Sequence, residues 1–100
     1  MILNLNIHHK LSQQEALSRI KNLFAKLKHD QKDKISDIKE DWNNEALEFQ
    51  FTVMRFTVSG SLTVHESNVE MEAEVPFAIF LFRSKIKQVI RAKAKELFSE

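Results

Sequence analysis

The chain predicts an α+β domain of order β-α-β-β-β-β-α: a five-stranded, mostly antiparallel sheet with two helices packed on one face. Three observations lead there. From Leu47 to Val75 apolar residues recur at every second position, in three runs whose parity shifts at two short breaks, which is the period of half-buried strands. Ala16 to Leu27 and Ile86 to Phe98 carry apolar residues at three- and four-residue spacing, the period of helices with one covered side. One hundred residues suffice for one core, so the whole chain, 1–100, is expected as a single domain.

Taken in order, Leu3, Leu5 and Ile7 alternate with Asn4, Asn6 and His8 and read as a first strand. Ser12 opens a capping box with Glu15, each side chain meeting a free backbone N–H of the other. Ala16, Leu17, Ile20, Leu23, Phe24 and Leu27 then form the apolar stripe of a first helix, which should fade near His29–Asp33. Lys28 to Lys34 reads as a charged loop. Ile38 and Trp42 share one parity and suggest a second strand, ending at Asn43-Asn44, where asparagine tolerates the positive φ of a hairpin.

The other strands can be registered against one another. With Met54-Arg55 as a two-residue loop, Val53 faces Phe56, Phe51 faces Val58 and Phe49 faces Gly60. With Glu66-Ser67 between His65 and Asn68, Val64 faces Val69, Leu62 faces Met71 and Gly60 faces Ala73. Every core position then opposes a core position, as a buried face demands. Gly60 is the only glycine. In mid-strand opposite Phe49 it makes room for that ring and lets the sheet bend; close approach of a ligand is the competing reading. Pro76 ends the last strand. Phe77, Ile79, Phe80 and Phe82 lead into a final helix with Ile86, Val89, Ile90, Ala94, Leu97 and Phe98 on one side and Arg83, Lys85, Lys87, Arg91 and Lys95 on the others.

Composition narrows the function classes. Fifteen Lys and Arg against 14 Asp and Glu give a formal charge of +1, without the basic surplus of a general nucleic-acid binder. The absence of cysteine excludes disulfides, thiolate metal sites and cysteine nucleophiles. Met1 to Asn6 lacks the pattern of a signal peptide, and the longest apolar run, Val75 to Phe82, is too short to span a bilayer, so a cytoplasmic protein without a transmembrane segment is expected. A single glycine leaves no phosphate loop, and no serine sits in a nucleophile elbow. His8 and His9 are strand neighbours pointing to opposite faces and cannot chelate one ion together. Trp42 reads as a core or edge aromatic, since no basic stripe accompanies it. The expectation is a non-enzymatic protein with no catalytic residue, cofactor or metal.

Two surfaces remain as candidates. Phe77, Phe80 and Phe82, with Leu81, are the cluster that most exceeds what a core needs, and they adjoin the basic final helix. That helix is first of all expected to close the core. The second surface is the wet face of the sheet, which carries Ser59, Thr63, His65 and Glu72 among its polar residues. It meets water or a second copy in a homodimer. Glu70, Glu72 and Glu74 repel one another there unless partnered.

The ordered residues resemble a known family. His9-Lys10-Leu11-Ser12 precedes Glu15-Ala16, followed by Arg19-Ile20-Lys21, Ile35-Ser36-Asp37, Trp42-Asn43 and Phe49-Gln50-Phe51. Phe56-Thr57-Val58-Ser59-Gly60, Leu62-Thr63-Val64, Val75-Pro76-Phe77 and Lys85-Ile86-Lys87 complete the series. Together, over nearly the whole chain, they resemble the small bacterial proteins called polyhydroxyalkanoic acid system family proteins. The resemblance rests on order and spacing, not on one motif. It implies association with polyhydroxyalkanoate granules or granule proteins and brings no catalytic residues. It also implies glycine near the first hairpin, where this chain has Arg55. The leading expectation is therefore an accessory or binding protein at a granule surface. The alternatives are a carrier or enzyme enclosing an apolar ligand among Phe49, Phe51, Leu62 and Phe80, and a homodimeric structural module.

Overall fold

The computed structural model describes residues 1–29 and 35–99. Its elements run β1 (Ile2–His8), α1 (Gln13–His29), β2 (Ile35–Asn43), β3 (Ala46–Val53), β4 (Phe56–Val64), β5 (Asn68–Glu74), a single turn α2 (Phe77–Phe80) and α3 (Arg83–Leu97). Most of the connector expected from Lys28 to Lys34 lies outside the described residues. The α+β class holds, and every neighbouring pair in the sheet is antiparallel, in the order β1-β5-β4-β3-β2. β1 and β2, consecutive strands, thus occupy opposite edges, and α1 crosses the sheet between them.

The register follows the apolar alternation. Val53 pairs with Phe56, Phe51 with Val58 and Phe49 with Gly60; Val64 pairs with Val69, Leu62 with Met71 and Gly60 with Ala73. A slip of one residue would turn each apolar set to water, so burial itself fixes the pairing. Leu3, Leu47, Phe49, Val58, Leu62, Val64, Val69, Ala73 and Val75 form the buried inner face. Ala16 and Ile20 of α1 complete the cluster. Leu47 and Val64 are wholly buried, each worth about 1.5–3 kcal/mol of transfer free energy.

Turn chemistry closes the meander. Met54 and Arg55 both hold positive φ, 51° and 73°, as a two-residue hairpin of the twisted kind requires. Asn44 supplies φ 57° between Asn43 and Ala46. The His65 N–H donates to the Asn68 carbonyl at 2.8 Å around Glu66-Ser67. β2 starts three residues earlier than its Ile38–Trp42 parity indicates, because a bulge at Asp37 (φ 53°) sets two residues opposite Phe51 and returns Ile35 to a core position opposite Val53.

Half of the expected capping box forms. The Glu15 N–H donates to Ser12 Oγ at 3.1 Å, while the Glu15 carboxylate turns to Arg19 Nε, also at 3.1 Å. The C-terminal helix is broken: Phe82 leaves helical geometry (φ −101°, ψ 19°), separating α2 from α3. Ile86, Ile90, Ala94 and Leu97 face inward on α3, but Val89, expected on that side, is 54% exposed. On the helical wheel it lies about 100° from the stripe's centre. The sheet's edges are blunted differently. Arg91 Nη1 donates to the Asn6 carbonyl of β1 at 3.2 Å, and β2 carries its bulge and the inward-facing Glu40.

Candidate functional site

Pro76 shapes the first candidate. Its ring fixes φ at −62° and offers no N–H to a sheet ladder, so β5 stops, and its carbonyl accepts the N–H groups of Ile79 and Phe80 at 3.0 Å each. In the single turn that follows, Phe77 and Leu81 are exposed while Ile79 and Phe80 are half-buried. Ile79 and Phe80 pack on the core. Phe77, Leu81 and Phe82 stand 61%, 59% and 65% exposed.

Of the three phenylalanines singled out by sequence, the structure therefore brings Phe77 and Phe82 to the surface and turns Phe80 inward. Sequence reasoning placed Val89 in the core, although it belongs with the exposed group. Phe82, Lys85 and Val89 are separated by three and four residues and form one solvent-facing stripe at the start of α3. Arg83 is not part of it; its guanidinium lies over the Phe80 ring at 4.7 Å. The result is an apolar ridge of Phe77, Leu81, Phe82 and Val89 with Lys85 set into it.

The outer sheet face is the second candidate. Ser59 stands between Gln50 and Glu74, Thr63 between Ala46 and Glu70, and Ser61 between Glu48 and Glu72. A shallow open groove is lined by Asn4, Asn6, Ser61, Thr63, Glu70 and Glu72. A second one, touching Ser59, Glu48 and Glu74, continues from it through Ser61 and Glu72. His65 sits at the end of β4 with Nε2 3.7 Å from Glu70 Oε1. So Thr63 and Glu72 line the same groove, Ser59 lines the next, and His65 stands at the rim beside Glu70.

Charge divides between the layers. Glu48, Glu70, Glu72, Glu74 and Asp41 project from the outer face, where Lys39 and the Met1 ammonium, 2.8 Å from Glu74 Oε1, are opposing cations. The helices carry the reverse: α3 bears Arg83, Lys85, Lys87, Arg91, Lys93 and Lys95 against Glu96, and α1 is also mostly basic. A net charge of +1 conceals this polarity, since charges distant in sequence are sorted only when the helices fold over one face.

The histidines separate as expected from strand parity. His8 is exposed. His9 is buried, its Nε2 3.2 Å from the His65 carbonyl and its ring centre 5.5 Å from that of Phe98. Trp42 is a half-buried edge aromatic whose Nε1 donates to Glu40 Oε1 at 2.9 Å, with Lys21 Nζ 5.2 Å from its ring centre. Lys28 Nζ approaches Glu40 Oε2 to 3.6 Å, so this group ties α1 to the β2 edge. Among the described residues no three His, Asp or Glu side chains gather to hold a metal ion, and no helix is long and apolar enough to cross a membrane.

Fold and surfaces define a small two-layer α+β protein with an acidic sheet face, a basic helical face and an exposed apolar ridge. The chain belongs to the family described as "Putative polyhydroxyalkanoic acid system protein", whose model matches residues 3–98. No curated protein and no solved structure gives a match.

Proposed function

We propose that this protein is a non-enzymatic accessory protein of a polyhydroxyalkanoate system that attaches to the storage granule surface through Phe77, Leu81 and Phe82. The observation carrying this reading is the exposure of those three consecutive-turn residues, each more than half open to solvent, beside a basic helix. Folding gains nothing from leaving them out, whereas an apolar surface would cover them. The family supports the setting, and a cytoplasmic location goes with it.

The outer sheet face is ill suited to self-pairing. Two copies meeting there would bring Glu48, Glu70 and Glu72 against their own kind, with Lys39 and the Met1 ammonium on Glu74 as opposing cations. Phe49 and Leu62, expected to line a ligand cavity, are buried in the core cluster, and the open groove that Phe49 touches is lined otherwise mainly by outer-face residues such as Lys39, Glu48, Ser59 and Glu74.

Co-sedimentation with purified polyhydroxybutyrate granules, beside an unrelated small protein, tests the proposal. The native protein should pellet with the granules, and the double substitution Phe77→Ser, Phe82→Ser should leave it in the supernatant with an unchanged melting temperature. Equal pelleting of native protein and double variant would overturn it.

A further inference from the structure

Resting on the granule-surface reading and sharpening it, we infer that the ridge recognises an anionic lipid surface rather than bare polyester, with the acidic sheet face turned away from it. Two features carry the inference. The first is the interleaving of charge with apolar side chains. Lys85 lies between Phe82 and Val89 on one stripe of α3, and Lys93, its Nζ 3.8 Å from Glu96 Oε1, follows Val89 by one turn; all four stripe residues are exposed. An uncharged polymer would reward the apolar residues but force the Lys85 ammonium to shed water without a counter-charge. An anionic headgroup layer satisfies both, because the aromatic rings enter the acyl boundary while the lysines stay among the headgroups.

The second feature is the polarity of the whole molecule. Glu48, Glu70, Glu72 and Glu74 stand on the sheet face remote from the helices, and the cations of α3 stand on the opposite layer. In the field of an anionic surface this distribution orients the protein: helices are drawn in and the sheet is repelled. Phe77, Leu81 and Phe82 then arrive facing the surface. The same polarity weakens attachment by the sheet, so one docking pose is selected from many.

Each lysine beside an anionic surface contributes about fivefold to partitioning, and the contribution fades with salt over about 8–10 Å of screening length. The experiment is sedimentation of the full chain with vesicles of phosphatidylcholine alone, with vesicles containing phosphatidylglycerol, and with lipid-free polyhydroxybutyrate particles. Binding to the phosphatidylglycerol vesicles should exceed binding to phosphatidylcholine at least about tenfold in low salt. It should be lost in the Phe77→Ser, Phe82→Ser variant and fall at least about tenfold in the Lys85→Glu, Lys93→Glu variant. All four positions are exposed, and an unchanged melting curve for each variant establishes that folding is intact.

Binding to lipid-free polyester but not to anionic vesicles would overturn the inference and leave the granule-surface function standing. Equal binding to both kinds of vesicle would overturn the role of charge and with it the inference. Binding to none of the three particles would overturn both.

Discussion

The guanidinium carbon of Arg83 lies 4.7 Å from the centre of the Phe80 ring, and Arg83 Nη1 donates to the Phe80 carbonyl at 3.2 Å. This contact lies over a half-buried ring that also packs against the core. It separates Phe80 from Phe77 and Phe82, its neighbours in sequence and in composition. Phe80→Ala should therefore cost about 2–3 kcal/mol, below the usual range for truncating a fully buried aromatic because the ring is only partly buried. Phe77→Ser and Phe82→Ser should each change stability by less than about 0.5 kcal/mol. Urea unfolding of the three variants checks this, and equal destabilisation by all three would show that the ridge belongs to the core.

Gly60 permits a close approach within the sheet. A Cβ built there collides with the Glu72 carbonyl oxygen and comes within 2.8 Å of Phe49 Cζ and 2.9 Å of Ala73 Cα. Two of these three obstacles are backbone, which cannot step aside without breaking the β4–β5 ladder. Gly60→Ala should cost about 3 kcal/mol, at the upper end for overpacking. Trimming the ring should not rescue it. If Gly60→Ala with Phe49→Leu proves more stable than Gly60→Ala alone, the ring and not the β5 backbone is the obstacle.

The β3–β4 hairpin carries the opposite opportunity. Met54 and Arg55 hold φ of 51° and 73° with side chains that resist the left-handed region. Asparagine and glycine suit such a turn. Replacing the pair by Asn-Gly should raise stability by about 1 kcal/mol, a gain of about 4–8 °C in melting temperature for a chain of this size. A thermal melt suffices as the check, and an unchanged or lower midpoint would mean that the Met54 and Arg55 side chains contribute contacts that outweigh the strain.

These residues also show what a one-dimensional pattern carries. Strand pairing between Leu47 and Val75 was legible because period-two alternation, short loops and the need to bury one face leave a single register. The position of β1 was not. Leu3, Leu5 and Ile7 would alternate equally well beside β2 or β5, and only the path of α1 across the sheet decides the edge. The ridge was half legible. Phe77 and Phe82 were singled out by their excess over core needs, but Phe80, from the same cluster, packs on the core with Arg83 over its ring. Val89 could have been recognised by its angle on the α3 wheel. The sorting of Glu48, Glu70 and Glu72 from Lys85, Arg91 and Lys93 leaves no local trace, since it is made by the helices covering the other face.

Arg19 joins the first helix to the last. Its Nη1 donates to the carbonyl oxygens of Leu97 at 3.0 Å and Ser99 at 2.6 Å, while its Nε donates to Glu15 Oε1 at 3.1 Å. A helix ends with carbonyls that lack N–H partners and with a partial negative charge, so a guanidinium there satisfies both. Arg19→Gln should cost about 1–2 kcal/mol through loss of this cap. Glu15→Gln should cost less than about 0.5 kcal/mol, because the pair it breaks is exposed. Lysine at position 19 keeps the charge but not the fork, and should fall between native protein and Arg19→Gln. Amide hydrogen exchange locates the effect: in Arg19→Gln the last turn of α3, through Leu97, Phe98 and Ser99, should exchange faster at a denaturant concentration that leaves β3 and β4 protected. Uniform acceleration across the chain, with no excess at that turn, would show that Arg19 supports the core generally and does not cap α3.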